Sequence, residues 1–292
     1  MSSFIIKIIA IISMLFDHTN DVFIGHLSVL NLIGRIAFPL FSFQLVVGYT
    51  YTHNIKKYIS RMFIFALISQ IPYSIFIYIY TGTYFELNIF FTLATSLICM
   101  YILSSKNIYI YLKLLYISIC LIIAYYLKFD YSIFGILYPL FVFVFYPFQE
   151  KFGKNRFSPS SFLCMDNDSH LMNNNYIKNI KNIKDPVTTN NNLNNNFNHN
   201  SNHNSSHNFS NNSIIKLLFF IAGTLALSIV KYIKLIPLVS TSWFIGLVLF
   251  TFIPAIIMIF FNGKKGPSLK YIFYIFYPAH LLLLELIYLL IH

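Results

Sequence analysis

The sequence predicts an all-α fold: a polytopic transmembrane helical bundle of about nine helices, interrupted by one disordered Asn-rich cytosolic loop. Three observations lead there. Apolar runs of about 20 residues recur along the chain, each long enough to cross a hydrocarbon core of roughly 30 Å as a helix. The 292 residues are 57% hydrophobic and only 10% charged, with a mean hydropathy of +0.67, a balance foreign to soluble globular chains. Runs such as FFTLATSLICMYIL (Phe90–Leu103) lack the alternation that a membrane β-barrel strand requires.

Helix 1 is expected from about Phe4 to Phe23. Its apolar part, Phe4 to Phe16, is too short to span alone at about 1.5 Å per residue. Either the helix continues through Asp17, His18 and Asp21, or it ends beside a polar cavity; both options hold these side chains at membrane depth. Lys7 precedes an apolar core, but no small-x-small cleavage site follows, so an uncleaved first helix is expected. Helix 2 takes Val29 to Tyr51 and carries Arg35, with Pro39 expected to kink it. The basic turn HNIKKYISR leads into helix 3, Tyr58 to Tyr80, with Gln70 and Pro72 at mid-span. Helix 4 is expected from near Leu87 to Ser104, helix 5 from Ile108 to Leu127, and helix 6 from Ile133 to Phe148 after the polar turn FDYS.

From Gln149 to Ser213 asparagine dominates and apolar periodicity vanishes, so this insert cannot bury enough surface to offset its ordering entropy. Helix 7 follows from Ile214 to Tyr232, helix 8 from Pro237 to Phe261 with Pro254 near its inner end, and helix 9 from Leu269 to His292 after the turn NGKKGP. Three segments result: 1–148 with helices 1–6 and the active-site half, the insert 149–213, and 214–292 with helices 7–9. No inverted repeat is evident.

The net charge of +11 does not indicate nucleic acid, because the lysines sit at helix ends and in the insert, as the positive-inside rule requires. A cytosolic N-terminus places Lys56, Lys57, Arg61, Lys106, the insert, Lys264, Lys265 and Lys270 inside, and leaves Lys128, Lys231 and Lys234 outside. The expected location is therefore the cytoplasmic (inner) membrane, N-terminus in and C-terminus out. Asp17, His18, Asp21, Arg35, Glu86 and Asp130 then fall at outer helix ends, opposite the basic turns. Cys99, Cys120 and Cys164 form neither a disulfide framework nor a zinc motif, and no metal is expected; the His199, His203, His207 spacing reads as low-complexity expansion. Walker, Rossmann, HExxH and GxSxG motifs are absent.

Ionisable side chains are costly at membrane depth, so their placement is the main functional signal. Adjacent helical residues do not face each other, so Asp17 is not expected to orient His18; Asp21 is placed to do so, and Arg35 is a natural partner for Asp17. Two readings stand: His18 is a general base, or the cluster fixes helix packing. His280, inside helix 9, either lines a channel or bonds a carbonyl freed by Pro278. Glu285, off His280's face, is expected to snorkel toward the outer interface. The turns with Lys56, Lys57, Arg61, Lys264 and Lys265 suit the phosphates of an anionic cofactor such as coenzyme A, and topogenic signalling accounts for them as well.

The blocks SMLFDH, GRIAFPLFSFQLVVGYTYTHNIKKYISR, FALISQIPY, LNIFFTL, FDYSIFGILY and NGKKG…KYIFYIFYPAHLLLL, in this order and spacing, resemble the TraX family of conjugation-associated membrane proteins. The insert departs from the compact family pattern but falls in a loop. Helix 2 is also similar, more faintly, to membrane acetyltransferases acting on glucosaminide ends. The resemblance implies an integral-membrane acetyltransferase that takes acetyl-CoA as donor, with a pilin-like protein amine or a carbohydrate on the outer side as acceptor. It implies Asp17, His18, Arg35 and His280 as site residues; the outer polar cluster facing the basic turns adds the expectation that Arg35 or nearby amides stabilise the oxyanion. A proton-coupled transporter and a non-catalytic subunit of a conjugation or pilus system are the alternatives.

Overall fold

The computed structural model describes residues 1–25, 28–82, 85–105, 107–146, 241–267 and 270–291, with short helical pieces at 218, 221–223 and 225–226. They belong to the unit formed by Met1–Phe157 and Asn212–His292. The Asn-rich insert with Cys164 and its histidines, and most of the expected helix 7, lie outside the described residues. Among the described residues the chain is helical apart from one isolated β-bridge. Its helices are α1 (Ser3–Phe23), α2 (Val29–Gly34), α3 (Ala37–Tyr51), α4 (Ile55–Thr81), α5 (Ile89–Ser104), α6 (Ile110–Tyr126), α7 (Ser132–Phe145), α8 (Thr241–Ile259) and α9 (Lys270–Ile291).

The expected helix 2 is two helices. Pro39 has no N–H for the Arg35 carbonyl and its ring crowds that oxygen. The break accordingly falls at Arg35–Ile36, one turn ahead of the proline rather than at it. α1, the Val29–Tyr51 pair, α4 and α9 are each long and apolar enough to cross a membrane. Expected helices 4 to 6 come out shorter, at 16, 17 and 14 residues for α5, α6 and α7.

The shortening has a cause. The α4–α5 connection folds back along α4, where Asn88, fully buried, donates to the Ala66 carbonyl at 2.7 Å and to Gln70 Oε1 at 3.0 Å. Its own Oδ1 accepts the Phe90 N–H at 3.0 Å, capping α5. Gln70 donates to the Glu86 carbonyl at 2.8 Å. The α6–α7 connection joins it through a parallel bridge between Leu87 and Phe129, with Leu87 N–H on the Lys128 carbonyl at 3.1 Å and Asp130 N–H on the Leu87 carbonyl at 2.8 Å. Non-helical backbone is tolerable at such depth only where protein satisfies it.

α3 is the hub. Leu40, Phe43 and Val46 are fully buried, and Phe43 meets Tyr146 and Phe261 edge-on at 4.9 and 5.3 Å. α5 and α7 approach so closely that a Cβ on Gly135 would overlap Thr92. Pro139 leaves the Gly135 carbonyl without its helical donor, and the Ser96 hydroxyl of α5, which donates to the Thr92 carbonyl at 2.8 Å, shares its proton with it at 3.3 Å. α6 and α9 turn isoleucines, leucines and tyrosines outward, as lipid-facing helices do.

α1, α4 and α9 start at the same end. The first free N–H groups of α1 are taken by the α8–α9 turn, Ser3 N–H by the Lys264 carbonyl at 2.9 Å and Phe4 N–H by that of Lys265 at 3.2 Å. Gly266, at φ +73°, lies close enough to α1 that a Cβ would press on Phe4 at 2.8 Å. Phe65 of α4 stacks on Tyr274 of α9 at 4.8 Å. Running in parallel, α1 and α9 bring their polar residues to one level.

Candidate functional site

His18 of α1 and His280 of α9 meet, Nδ1 to Nε2, at 2.7 Å. The His280 Nδ1 lies 2.8 Å from the Phe276 carbonyl, one turn back on its own helix. A carbonyl can only accept, so Nδ1–H of His280 is the donor and, in the neutral ring, Nε2 is an acceptor. His18 must then donate from Nδ1, which leaves its Nε2 as the basic nitrogen. The partner that orients His18 is therefore neither Asp17 nor Asp21 but an imidazole from the last helix. His280 does bond a carbonyl, yet it is that of Phe276 rather than that of Tyr274, which Pro278 deprives of its donor. The rings are nearly parallel, 6° apart, with Phe76 beside His18 at 4.9 Å and Phe276 stacked on His280 at 4.9 Å.

Asp17 pairs with Arg35 across the α1–α2 contact. Arg35 Nη2 donates to Asp17 Oδ1 at 2.6 Å, and Asn31 Nδ2 donates to the same oxygen at 3.1 Å. Arg35 Nε holds the Asn31 carbonyl at 3.2 Å. The approach needs a glycine: a Cβ on Gly34 would overlap the Asp17 side chain. Asp21 is half-buried beside Asn20, within electrostatic reach of Asp17 and Arg35. Glu285 is buried, with its carboxyl beside the Phe76 amide of α4. It does not snorkel; α4 covers it.

A cleft opens beside the dyad and encloses about 570 Å³ including its mouth. Met14, Asp17 and His18 of α1 line it, with Ala37, Phe38 and Phe41 of α3 and Ile89, Phe90 and Leu93 of α5. Asp130 and Tyr131 from the folded-back connection, and Phe273 and Tyr277 of α9, complete the wall. Arg35 is not among these residues; Asp17 faces the cleft and Arg35 backs it.

Asp130, Tyr131 and Tyr277 were not legible as site residues, although the first two sit in an unusual backbone. Lys128, Tyr131 and Ser132 have φ of 49°, 61° and 48°, left-handed conformations that non-glycine residues adopt at a cost of roughly 1–3 kcal/mol each when the surroundings impose them. Here Thr92 holds the Asp130 carbonyl at 2.9 Å and the Tyr131 ring lies on Phe38 at 4.1 Å.

The expected basic residues gather at the starts of α1, α4 and α9. Lys56, Lys57, Lys264 and Lys265 are exposed, while Arg61 lies over the Tyr58 ring at 5.8 Å and beside Tyr274. Phe273, in the cleft wall, also carries Lys7 Nζ at 5.3 Å over its ring. Among the described residues no group of three or more His, Cys, Asp or Glu is placed to hold a metal ion.

Fold and site define a multi-pass helical membrane protein whose buried ion pair and histidine dyad adjoin an internal cleft. The chain matches the TraX protein family over residues 2–177 and belongs to it. The matched part carries Asp17, His18, Arg35 and Asp130; His280 and Lys264 lie beyond it. The chain is 32% identical over 162 residues to a probable fimbrial assembly protein FimC, serogroup H1, of Dichelobacter nodosus. That match takes in 50% of this chain and 63% of the relative's own length. No solved structure matches.

Proposed function

We propose that this protein is an integral-membrane acetyltransferase of a pilus or conjugation system, moving an acetyl group from acetyl-CoA on the basic side to an amine or hydroxyl acceptor on the other. One observation carries the reading: the His18–His280–Phe276 carbonyl chain beside the cleft. Such a chain fixes the tautomer of the first imidazole and supports the charge it acquires, which is what a general base requires. The relative named as a fimbrial assembly protein supports the pilus context.

In this mechanism the phosphates of acetyl-CoA sit at Lys56, Lys57, Arg61, Lys264 and Lys265, and the pantetheine arm runs past Phe273 into the cleft. His18 Nε2 takes the proton of the acceptor as its nitrogen or oxygen attacks the thioester carbon. It then returns that proton to the departing thiolate.

Purified protein with labelled acetyl-CoA and a short peptide or amino-sugar acceptor tests this. The wild type transfers label, and His18→Ala lowers the rate by about 10²–10⁴-fold. His280→Ala acts in the same direction. Wild-type rates in a folded His18→Ala protein would remove His18 as the base. Absence of transfer together with absence of thermal stabilisation by acetyl-CoA would remove the acetyltransferase reading.

A further inference from the structure

We propose that the Tyr277 hydroxyl, in place of the Arg35 guanidinium, donates the hydrogen bond that stabilises the oxyanion in this cleft; the assignment rests on the acetyl-transfer reading above. An oxyanion donor has to be on the cleft wall, close to the base, shielded from water and uncommitted in the resting state. Arg35 fails these requirements. Its Nη2 is held by Asp17 and its Nε by the Asn31 carbonyl, and Asp17 stands where the cleft begins.

Tyr277 meets them. It lines the cleft and is only 4% exposed, yet its hydroxyl has no hydrogen-bond partner. A buried hydroxyl is costly to leave unpaired, so one retained beside a base calls for a reason. Three residues before His280 on α9, it shares that residue's face. Its ring is 5.7 Å from His280 and 6.4 Å from His18, and Phe90 fixes it edge-on at 5.0 Å. The Ile89 amide, the first of α5, lies against the phenolic oxygen without hydrogen-bond geometry. A helix N-terminus there favours negative charge at the same spot.

The step balances without a further reactant. The acceptor nitrogen or oxygen forms a bond to the thioester carbon, the carbonyl π pair moves onto oxygen, and His18 Nε2 takes the acceptor proton. Tyr277 donates a hydrogen bond to that oxygen and keeps its proton. The oxygen pair then re-forms the carbonyl, the C–S bond breaks, and the thiolate takes the proton from His18.

The experiment uses the whole protein in detergent with labelled acetyl-CoA. Tyr277→Phe is expected to lower kcat by about 10²–10³-fold, with the KM for acetyl-CoA and the stabilisation by it unchanged. A kcat within about threefold of wild type overturns the assignment. So does a loss that Asp130→Asn reproduces in full and the double variant does not deepen, because Tyr277 would then act by positioning Asp130. A second measurement covers a Tyr277→Phe protein that fails to fold. With 4-aminophenylalanine at position 277 an N–H donor replaces the O–H, and with 4-fluorophenylalanine, of similar size, none remains. The amino variant should keep kcat within about tenfold of wild type while the fluoro variant falls by about 10²–10³-fold; equal rates in the two overturn the assignment. An active wild type with an unaffected Tyr277→Phe removes this assignment alone. A wild type that transfers no acetyl removes the parent reading and this one with it.

Discussion

Removing Asp17 should destabilise the protein far more than removing the whole ion pair. In Asp17→Ala the Arg35 guanidinium loses its 2.6 Å partner and Asn31 its 3.1 Å acceptor. Breaking a buried pair from one side costs about 3–5 kcal/mol. The Arg35 and Asp17 side chains are 17% and 11% exposed, so some solvent screening applies and the low end, about 3 kcal/mol, is the expected loss. Asp17→Leu with Arg35→Met exchanges both charges for apolar groups of similar length, and such exchanges are often neutral, so this protein should fall within about 1 kcal/mol of wild type. With the matching single variants, Asp17→Leu and Arg35→Met, the cycle then yields a coupling of about 2 kcal/mol or more. Reversible SDS unfolding in mixed micelles, followed by far-ultraviolet circular dichroism, reads the four proteins of the cycle and Asp17→Ala. If Asp17→Ala costs under about 1 kcal/mol, or the effects add within about 0.5 kcal/mol, the pair is not the α1–α2 clamp that the geometry describes. The same proteins separate structure from chemistry: if the stable double variant carries out the proposed acetyl transfer at the wild-type rate, the pair is scaffold for His18 and takes no part in the proposed reaction.

Two other predictions follow from the ends of the bundle. Asn88→Ala removes the cap of α5 and strips partners from the buried Ala66 carbonyl and Gln70; in the same unfolding assay it should cost about 2–4 kcal/mol, and a loss under about 1 kcal/mol would mean that the connection is not anchored there. Lys264→Glu with Lys265→Glu should raise the KM for acetyl-CoA with kcat unchanged, more strongly at low salt than at high; an unchanged KM at low salt would place the nucleotide elsewhere.

Much of the outline was legible because lipid imposes it. Apolar runs locate the helices, Pro39 forecasts a kink that the chain makes as a break one turn earlier, and an arginine near an aspartate across a short turn forecasts their pairing. What the sequence could not supply is which interior polar groups meet. His18 and His280 are separated by 262 positions, and the cost of burying an imidazole says only that each needs a partner. Glu285 shows the same gap from the other side: position along the helix suggested the interface, but packing against α4 buries it. Tyr277 was hidden among many tyrosines whose ordinary role is bulk or interfacial belt.

The short lengths of α5 and α7 tie these points together. A helix of 16 or 14 residues rises only about 21–24 Å at about 1.5 Å per residue, less than the roughly 30 Å hydrocarbon core. The missing length is supplied by the two connections that fold inward and satisfy each other through Leu87, Phe129 and Asp130. Their left-handed residues are the local cost of that path. Its product is a carboxylate and a tyrosine, Asp130 and Tyr131, placed in the cleft wall opposite a histidine dyad. Two full-length helices in their place would leave FDYS in the aqueous loop and the cleft lined by apolar side chains on that side. The departure from regular spanning helices is therefore what gives this bundle a polar cleft wall beside its histidine dyad.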